Sequence, residues 1–132
     1  MISVGESAEA GFTVKISDTA HALSISAEDS FPEVFATSRM IALMEIAAAR
    51  LMKPLLQPGQ LSVGVVLNIK HTAATPVGGK VRAVATYLGP EEKLFRFKVE
   101  AFDEAGSIGG GEHTRAIIST ERLLAGAAKR KP

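Results

Sequence analysis

Hydrophobic and polar residues alternate along four segments that follow residue 59, and a period of two is typical of β-strands. These segments cover residues 61–71, 80–88, 93–102 and 107–120, with turns at 89–92 and 103–106. Shorter β-like pieces lie at residues 12–16 and 22–25. One face of the first long segment would carry Leu61, Val63, Val65, Leu67, Ile69 and His71. The pattern predicts a meander of long antiparallel strands after residue 59.

A single long helix is predicted between residues 32 and 56, a stretch that contains no glycine. Ser30, followed three residues later by Glu33, has the pattern of a capping box, which begins helices. An interruption is expected near residues 36 and 37. Between residues 40 and 52 the only charged side chains are Glu45 and Arg50, so we expect burial on most sides of this helix.

Long strands and one helix packed on the same sheet define an α+β architecture. A helix that is apolar on nearly every side further suggests that the sheet curls around it, which is the arrangement of the hotdog fold. The 132 residues are predicted to form one domain, because they suffice for one core. Residues 124–132 are small and basic and are expected to form a frayed tail.

Composition removes several classes of function. The formal charge is only +1, with one Tyr and no Trp, which argues against nucleic acid as a partner. Because the chain has no Cys, it can have no disulfide, thiolate nucleophile or Cys-ligated metal. Metal-binding motifs are also absent, so we expect no metal and no cofactor. No apolar run approaches the length of a membrane span, and a cytoplasmic location is expected.

Glu45 is the first candidate for chemistry. Its helical neighbours three and four residues away are all Ile or Ala, so no partner for its charge lies on the helix. A carboxylate in apolar surroundings is costly without a partner, and such groups cluster at functional sites. The alternative is a glutamate that reaches solvent through a gap in the packing, and the residues alone favour neither interpretation.

His71 and Thr37 are the other two candidates. His71 ends an apolar strand face, where a histidine is more often a hydrogen-bonded structural residue than a catalytic one. Thr37 lies where the helix is expected to restart, as an N-cap or as a hydroxyl close to backbone N–H groups that stabilise negative charge. The glycine-rich run at 106–111 leads into a strand, so turn geometry or close backbone approach explains it better than phosphate binding.

These residues resemble a known family. The stretch 31–40, Glu45, Gly64, the His-Thr-Ala-Ala-Thr-Pro run at 71–76 and the run at 108–117 are similar to the fluoroacetyl-CoA thioesterase-like group of hotdog thioesterases. The resemblance extends from about residue 31 to residue 121. It implies a homodimeric enzyme that hydrolyses acyl-CoA thioesters, with active sites at the subunit interface.

The resemblance also implies roles for individual residues. Its catalytic threonine, glutamate and histidine correspond to Thr37, Glu45 and His71. Its substrate-binding residues correspond to Phe31, Gly64 and Arg115. Thr37 and Glu45 lie eight residues apart, so a straight helix would separate them by about 12 Å along its axis. Either the helix breaks near Thr37, or the site combines residues of two subunits.

One residue departs from the family pattern. Glu28 stands where the fluoroacetyl-specific enzyme has a second gating phenylalanine, so acyl-CoA hydrolysis is expected but specificity for fluoroacetyl-CoA is not. The alternatives are a hotdog protein that binds acyl-CoA without turnover and a hotdog hydratase or dehydratase. Ligand binding without release of CoA would favour the first, and a hydroxylated product with an intact thioester the second.

Overall fold

The structure is a computed structural model that describes residues 1–132. Its helices are α1 (Thr37–Met52) and α2 (Thr120–Ala128). The strands are β1 (Ser7–Thr13), β2 (Gln60–His71), β3 (Lys80–Glu91), β4 (Leu94–Asp103) and β5 (Gly106–Ser119). Single turns of 3₁₀ helix lie at Ile16–Asp18, His21–Leu23 and Lys53–Leu55.

The five strands form one antiparallel sheet in the order β1-β3-β4-β5-β2. The sheet curls as a half-barrel around α1, which packs most extensively on β1 and β3. The predicted α+β hotdog fold is therefore confirmed. Strand β2 lies at one edge of the sheet and pairs with β5 alone.

The core lies between α1 and the concave face of the sheet. From the helix it takes three fully buried methionines, Met40, Met44 and Met52, together with Ala47 and Ala48. From β3 and β4 it takes alternate residues, Val81, Ala83, Ala85, Tyr87, Phe97, Val99 and Ala101. The alternation predicted for these two strands is correct, because each of these side chains is at most 6% exposed, and Phe95 on the same face of β4 packs partly buried against the core.

The predicted helix start is wrong: residues 32–36 are not helical, and α1 begins at Thr37. The preceding segment is extended, since Val34 and Phe35 form isolated bridges with other parts of the chain. The backbone N–H of Phe35 donates to the carbonyl of Thr75, and the carbonyl of Val34 accepts from Ala20. Because the backbone groups are already paired, the capping box at Ser30 has no helix to begin.

The predicted face of β2 is correct only in its second half. A β-bulge interrupts the register with β5 between Gly64 and Val66, and one extra residue reverses the side on which every preceding side chain points. Ile69 packs against the core and His71 reaches α1, as predicted. Before the bulge, Leu61 is 52% exposed, and Ser62 and Gly64 face the helix side instead.

The carboxyl-terminal tail also differs from the expectation of fraying from residue 124. Helix α2 continues to Ala128, and only residues 129–132 lie beyond it. The Ser119 hydroxyl caps the helix by accepting from the N–H of Arg122 at 3.3 Å. Leu123 and Leu124 on this helix are exposed. Neither helix of the structure is long and apolar enough to cross a membrane.

The glycine run of β5 is explained by close backbone approach. A Cβ atom at Gly109 would collide with the carbonyl oxygen of Lys70, and one at Gly111 with that of Asn68. These two glycines pair with His71 and Ile69 in the β2–β5 ladder. Strand β2 can therefore stay paired closely with β5 up to the position of His71.

Candidate active site

The first residue of α1 and the last residue of β2 meet at one end of the sheet. Thr37 Oγ1 lies 2.8 Å from His71 Nδ1, a hydrogen bond between residues 34 positions apart in the sequence. The start of α1 at Thr37 and the orientation of the β2 side chains after the bulge together bring about this contact. Two of the three predicted catalytic side chains are thus assembled within one chain.

Several polar groups around this pair have no partner. The second imidazole nitrogen of His71, Nε2, is buried without a hydrogen bond. The N-cap of α1 is Ala36, whose side chain cannot accept from the backbone N–H groups of the first turn. A helix start with free N–H groups beside an unsatisfied imidazole is suited to binding a polarised carbonyl oxygen.

Two cavities open beside the Thr37–His71 pair, and Phe31 lines both. One, of about 460 Å³, also contacts His71 and the residues that follow it. The other, of about 450 Å³, is bounded by Leu23, Ile25 and Ala36. Both volumes fall within the usual range of small-molecule sites, roughly 300–1,000 Å³. Glu28 lines neither cavity.

Glu45 belongs to a second cluster, nearer the middle of α1. Its carboxylate oxygen Oε1 accepts a hydrogen bond from Nη1 of Arg115 at 3.1 Å and lies 4.0 Å from Nε2 of His113. All polar contacts of this carboxylate are made through Oε1, so Oε2 has no partner. The Glu45 side chain is 34% exposed, whereas that of His113 is fully buried.

The position of Glu45 depends on β2 and β5. The backbone oxygen of Ser62 accepts from Arg115 Nη2 at 2.9 Å, and its hydroxyl accepts from Nε at 3.1 Å. A Cβ atom at Gly64 would collide with Oε1 of Glu45, so only glycine leaves room for the carboxylate. The partner that the helix could not supply is therefore a strand arginine.

Burial governs the electrostatics of this cluster. It lowers the pKa of His113 below the ordinary value of 6.5, and the nearby Arg115 charge adds to the effect. The hydrogen bond to Val66 and the Glu45 charge oppose it. Burial also lowers the pKa of Arg115, against the attraction of Glu45. His113 is therefore neutral near pH 7, while the guanidinium keeps its charge.

The predicted catalytic triad is not assembled within a single chain. Helix α1 is continuous from Thr37 to Met52, so the suggested break that would join Thr37 to Glu45 is wrong. Eight residues of unbroken helix place Glu45 about 12 Å further along the axis. Thr37 bonds His71, Glu45 bonds Arg115, and the two clusters share no hydrogen bond.

The predicted substrate-binding residues divide between the same two places. Phe31 lines the cavities beside Thr37, while Gly64 and Arg115 surround Glu45. Ser62 was not predicted as a site residue, because strict alternation puts it on the face opposite Leu61, and His113 was not predicted to have a role of its own. The available signal was the spacing of His113 and Arg115, two residues apart on one strand face. The structure contains no group of three or more His, Asp or Glu side chains that could hold a metal ion.

A half-barrel antiparallel sheet around one central helix is a hotdog fold, the fold of solved thioesterases. Fluoroacetyl-CoA-specific thioesterase is the family whose pattern matches residues 14–121. A fluoroacetyl-CoA thioesterase of Streptantibioticus cattleyicolor is 42% identical over 102 residues, covering 77% of this chain and 73% of that protein. The chain belongs to the fluoroacetyl-CoA-specific thioesterase family.

Solved structures agree with this assignment. The fluoroacetyl-CoA thioesterase FlK superposes with a TM-score of 0.93 at 39% identity, covering 100% of this chain and 99% of that one. A threonine-to-serine mutant of FlK in complex with acetyl-CoA gives a TM-score of 0.92 at 38% identity, covering 99% and 100%. The predictions of an enzyme, of thioester hydrolysis and of an acyl-CoA substrate are confirmed.

Proposed function

We propose that the chain hydrolyses short acyl-CoA thioesters at a site that two subunits complete. Thr37 and His71 come from one chain, and Glu45 comes from the partner subunit. The observation that carries this proposal is the separation of the clusters: Thr37 and His71 are hydrogen-bonded beside open cavities, yet Glu45 lies elsewhere on the same rigid helix. A second copy of the chain can supply the missing acid.

The edge strand β2 is suited to pairing with its own copy. It is 12 residues long, has a free edge, and carries exposed Leu61, Val65, Val66 and Leu67. Such a strand is a template for association unless another chain covers it. Ile46 and Ala49 of α1 line a cavity of about 290 Å³ together with Leu61, so apolar surface continues from this edge onto the helix.

A two-fold axis beside β2 also explains how the clusters meet. Two α1 helices related by a two-fold axis perpendicular to them lie antiparallel. A residue on one side of the axis in one helix therefore faces the residue equally far on the other side in the partner helix. Thr37 faces Glu45 of the partner subunit if the axis passes close to Ile41, midway between 37 and 45 in α1. The symmetry then forms a second, identical site at the other end of the helix pair.

The proposed chemistry follows from this arrangement. The free N–H groups at the start of α1 and the Thr37 hydroxyl bind the thioester carbonyl and stabilise the developing oxyanion. Water attacks the carbonyl carbon while its proton passes to the carboxylate of Glu45. The tetrahedral intermediate collapses with cleavage of the carbon–sulfur bond, and the proton taken up by Glu45 passes through His71 to the departing thiolate, which leaves as the CoA thiol.

Glu45 can also attack the carbonyl itself, because Oε2 has no partner: the carbon–sulfur bond breaks, CoA leaves as the thiol with a proton from His71, and water hydrolyses the resulting anhydride. Single turnover in ¹⁸O-labelled water separates the two routes. Attack by water places the label in the acid at once, whereas attack by Glu45, followed by hydrolysis of the anhydride at the Glu45 carboxyl carbon, places it first in the enzyme carboxylate. Both routes use the same residues, so the result changes the order of steps and leaves the site as proposed.

The acyl group is proposed to enter the cavities next to Phe31. The exposed Glu28 belongs to the same loop but lines neither cavity, so it offers no second aromatic ring over the acyl group. We therefore expect the kcat/KM values for acetyl-CoA and fluoroacetyl-CoA to differ by less than about 200-fold, since one apolar contact is worth about 1–3 kcal/mol. A preference above a thousandfold for fluoroacetyl-CoA would contradict this expectation.

Subunit complementation tests the shared site. Glu45→Gln and His71→Ala are prepared separately, unfolded together in equal amounts and refolded as a mixture. Random pairing makes half of the dimers hybrid, and each hybrid has one site with both native residues. The mixture should recover about a quarter of the wild-type rate of CoA release, because two symmetric sites share the residues.

The controls are each variant refolded alone and the wild-type chain refolded in the same way. The single variants should remain nearly inactive. If the mixture is no more active than the single variants, Glu45 and His71 act within one chain and the proposal is wrong. If Glu45→Gln and His71→Ala each keep full activity, neither residue takes part in catalysis.

A further inference from the structure

We propose that His113 is a positioning residue for Glu45, acting through the guanidinium of Arg115. This inference rests on the proposed role of Glu45 and extends the site to a buried side chain that does not touch the substrate. His113 is fully buried on β5, opposite Leu67 in the strand ladder and next to the ring of Phe97.

The partners of His113 fix its tautomer. Nδ1 lies 2.8 Å from the backbone oxygen of Val66, which can only accept, so Nδ1 carries the hydrogen. Nε2 lies 3.1 Å from Nη1 of Arg115, which can only donate, so Nε2 presents its lone pair. The two contacts agree on a neutral imidazole whose ring cannot rotate without losing both hydrogen bonds.

Arg115 is held on three sides by these contacts. Nη1 donates to both Nε2 of His113 and Oε1 of Glu45, each at 3.1 Å. Nε and Nη2 donate to the hydroxyl and backbone oxygen of Ser62. Four of the five N–H groups of the guanidinium are thereby used. His113 is the acceptor that directs the second hydrogen of Nη1, which leaves the first aimed at Glu45.

The chain of hydrogen bonds sets the reactive oxygen of Glu45. Oε1 is bound to Arg115 and Oε2 is free, so the carboxylate presents one defined oxygen to the reacting group. Without an acceptor at the position of Nε2, the guanidinium can turn and the carboxylate can follow it. A displacement of about 1 Å at a catalytic group can cost about 100-fold in rate.

Two amide substitutions separate positioning from simple packing. The oxygen of His113→Gln can reach the position of Nε2 and accept from Arg115, but the bond to Val66 is lost. The amide of His113→Asn can reach the position of Nδ1 and donate to Val66, but Arg115 loses its acceptor. Both variants lose one hydrogen bond in the same buried space, so their melting temperatures should fall by similar amounts.

The assay is release of free CoA from acetyl-, butyryl- and fluoroacetyl-CoA, using the substrate that the wild type turns over fastest. We expect kcat of His113→Gln to stay within about threefold of wild type and kcat of His113→Asn to fall tenfold or more. KM should change less than twofold in both, because neither variant touches the substrate.

Equal kcat losses in the two variants, or full activity of His113→Asn, would overturn the positioning role. If neither variant folds, Ser62→Ala tests the same support from the other side of the guanidinium. It should lower kcat at least threefold with KM unchanged, and an unchanged kcat would reject the proposal. A wild type that hydrolyses none of the three substrates would instead refute the proposed acyl group.

Discussion

Replacing Gly64 with alanine should displace Glu45 with little damage to the fold. The added Cβ would occupy the space of Oε1 of Glu45 and would lie 3.2 Å from Cε1 of His113. Ordinary contact requires the carboxylate to withdraw by about 1 Å, which takes the 3.1 Å bond to Arg115 beyond hydrogen-bonding distance. The carboxylate is the end of a flexible side chain, so it can move while β2 stays paired.

The magnitudes follow from these contacts. The Glu45 side chain is 34% exposed, so water screens its pair with Arg115, and we expect a loss of about 1 kcal/mol in the free energy of unfolding. The catalytic cost should be larger, about 10- to 100-fold in kcat, because the oxygen that faces the thioester is misplaced by a similar distance. KM should change little, because the cavities beside Thr37 are untouched.

The assay compares CoA release and urea unfolding for the wild type, Gly64→Ala and Gly126→Ala. Gly126 lies in α2 with nothing within 4 Å of an added Cβ, so the control should keep full activity and gain up to about 1 kcal/mol in stability. A Gly64→Ala enzyme with wild-type kcat would refute the claim that the site of Glu45 is shaped by β2. A loss of kcat that merely follows unfolding would refute it equally.

Three further outcomes are expected. Val66→Lys should convert a dimer into monomers in sedimentation velocity, because it places a charge on the exposed edge strand. The control Val77→Lys changes an exposed valine outside β2 and should leave the dimer intact, and a dimer that persists in both variants would contradict the β2 interface. Burial lowers the pKa of His113, so below pH 6.5 the unfolded chain binds more protons and the folded state loses stability as the pH falls. His113→Gln should remove that part of the difference between urea titrations at pH 7.5 and pH 5, and identical differences would disprove it. Thr37→Ala should lower kcat about 10- to 100-fold and Thr37→Ser much less, and equal losses would exclude a role for the hydroxyl.

Most of the fold could be predicted from the sequence, because the strand periods are long and the helix is unusually apolar. The alternation of side chains in β3 and β4 and the central position of α1 were predicted correctly. The errors occur where tertiary pairing replaces a local signal. The capping box at Ser30 was overridden by backbone pairing of the segment ending at Ala36, and the bulge at Gly64 reversed the first half of β2.

The candidate site was predicted in part for the same reason. Thr37 and His71 could be joined only by knowing where α1 begins and where β2 ends. The partner of Glu45 could not be found on its own helix, since Arg115 lies 70 residues away in sequence. The contact of Ser62 with Arg115 could not be predicted, because strict alternation without the bulge puts Ser62 on the outer face of β2.

The two glycines opposite His71 and Ile69 give the protein a vulnerability outside its chemistry. No side chain fits at Gly109 or Gly111, since the carbonyl oxygens of β2 occupy the space of a Cβ. A methyl group at either position would separate β2 from β5 and move the imidazole of His71, at the end of β2, away from α1. In a library of random variants selected for activity, substitutions at Gly109 and Gly111 should be as rare as substitutions at Glu45, even though neither glycine carries a functional group.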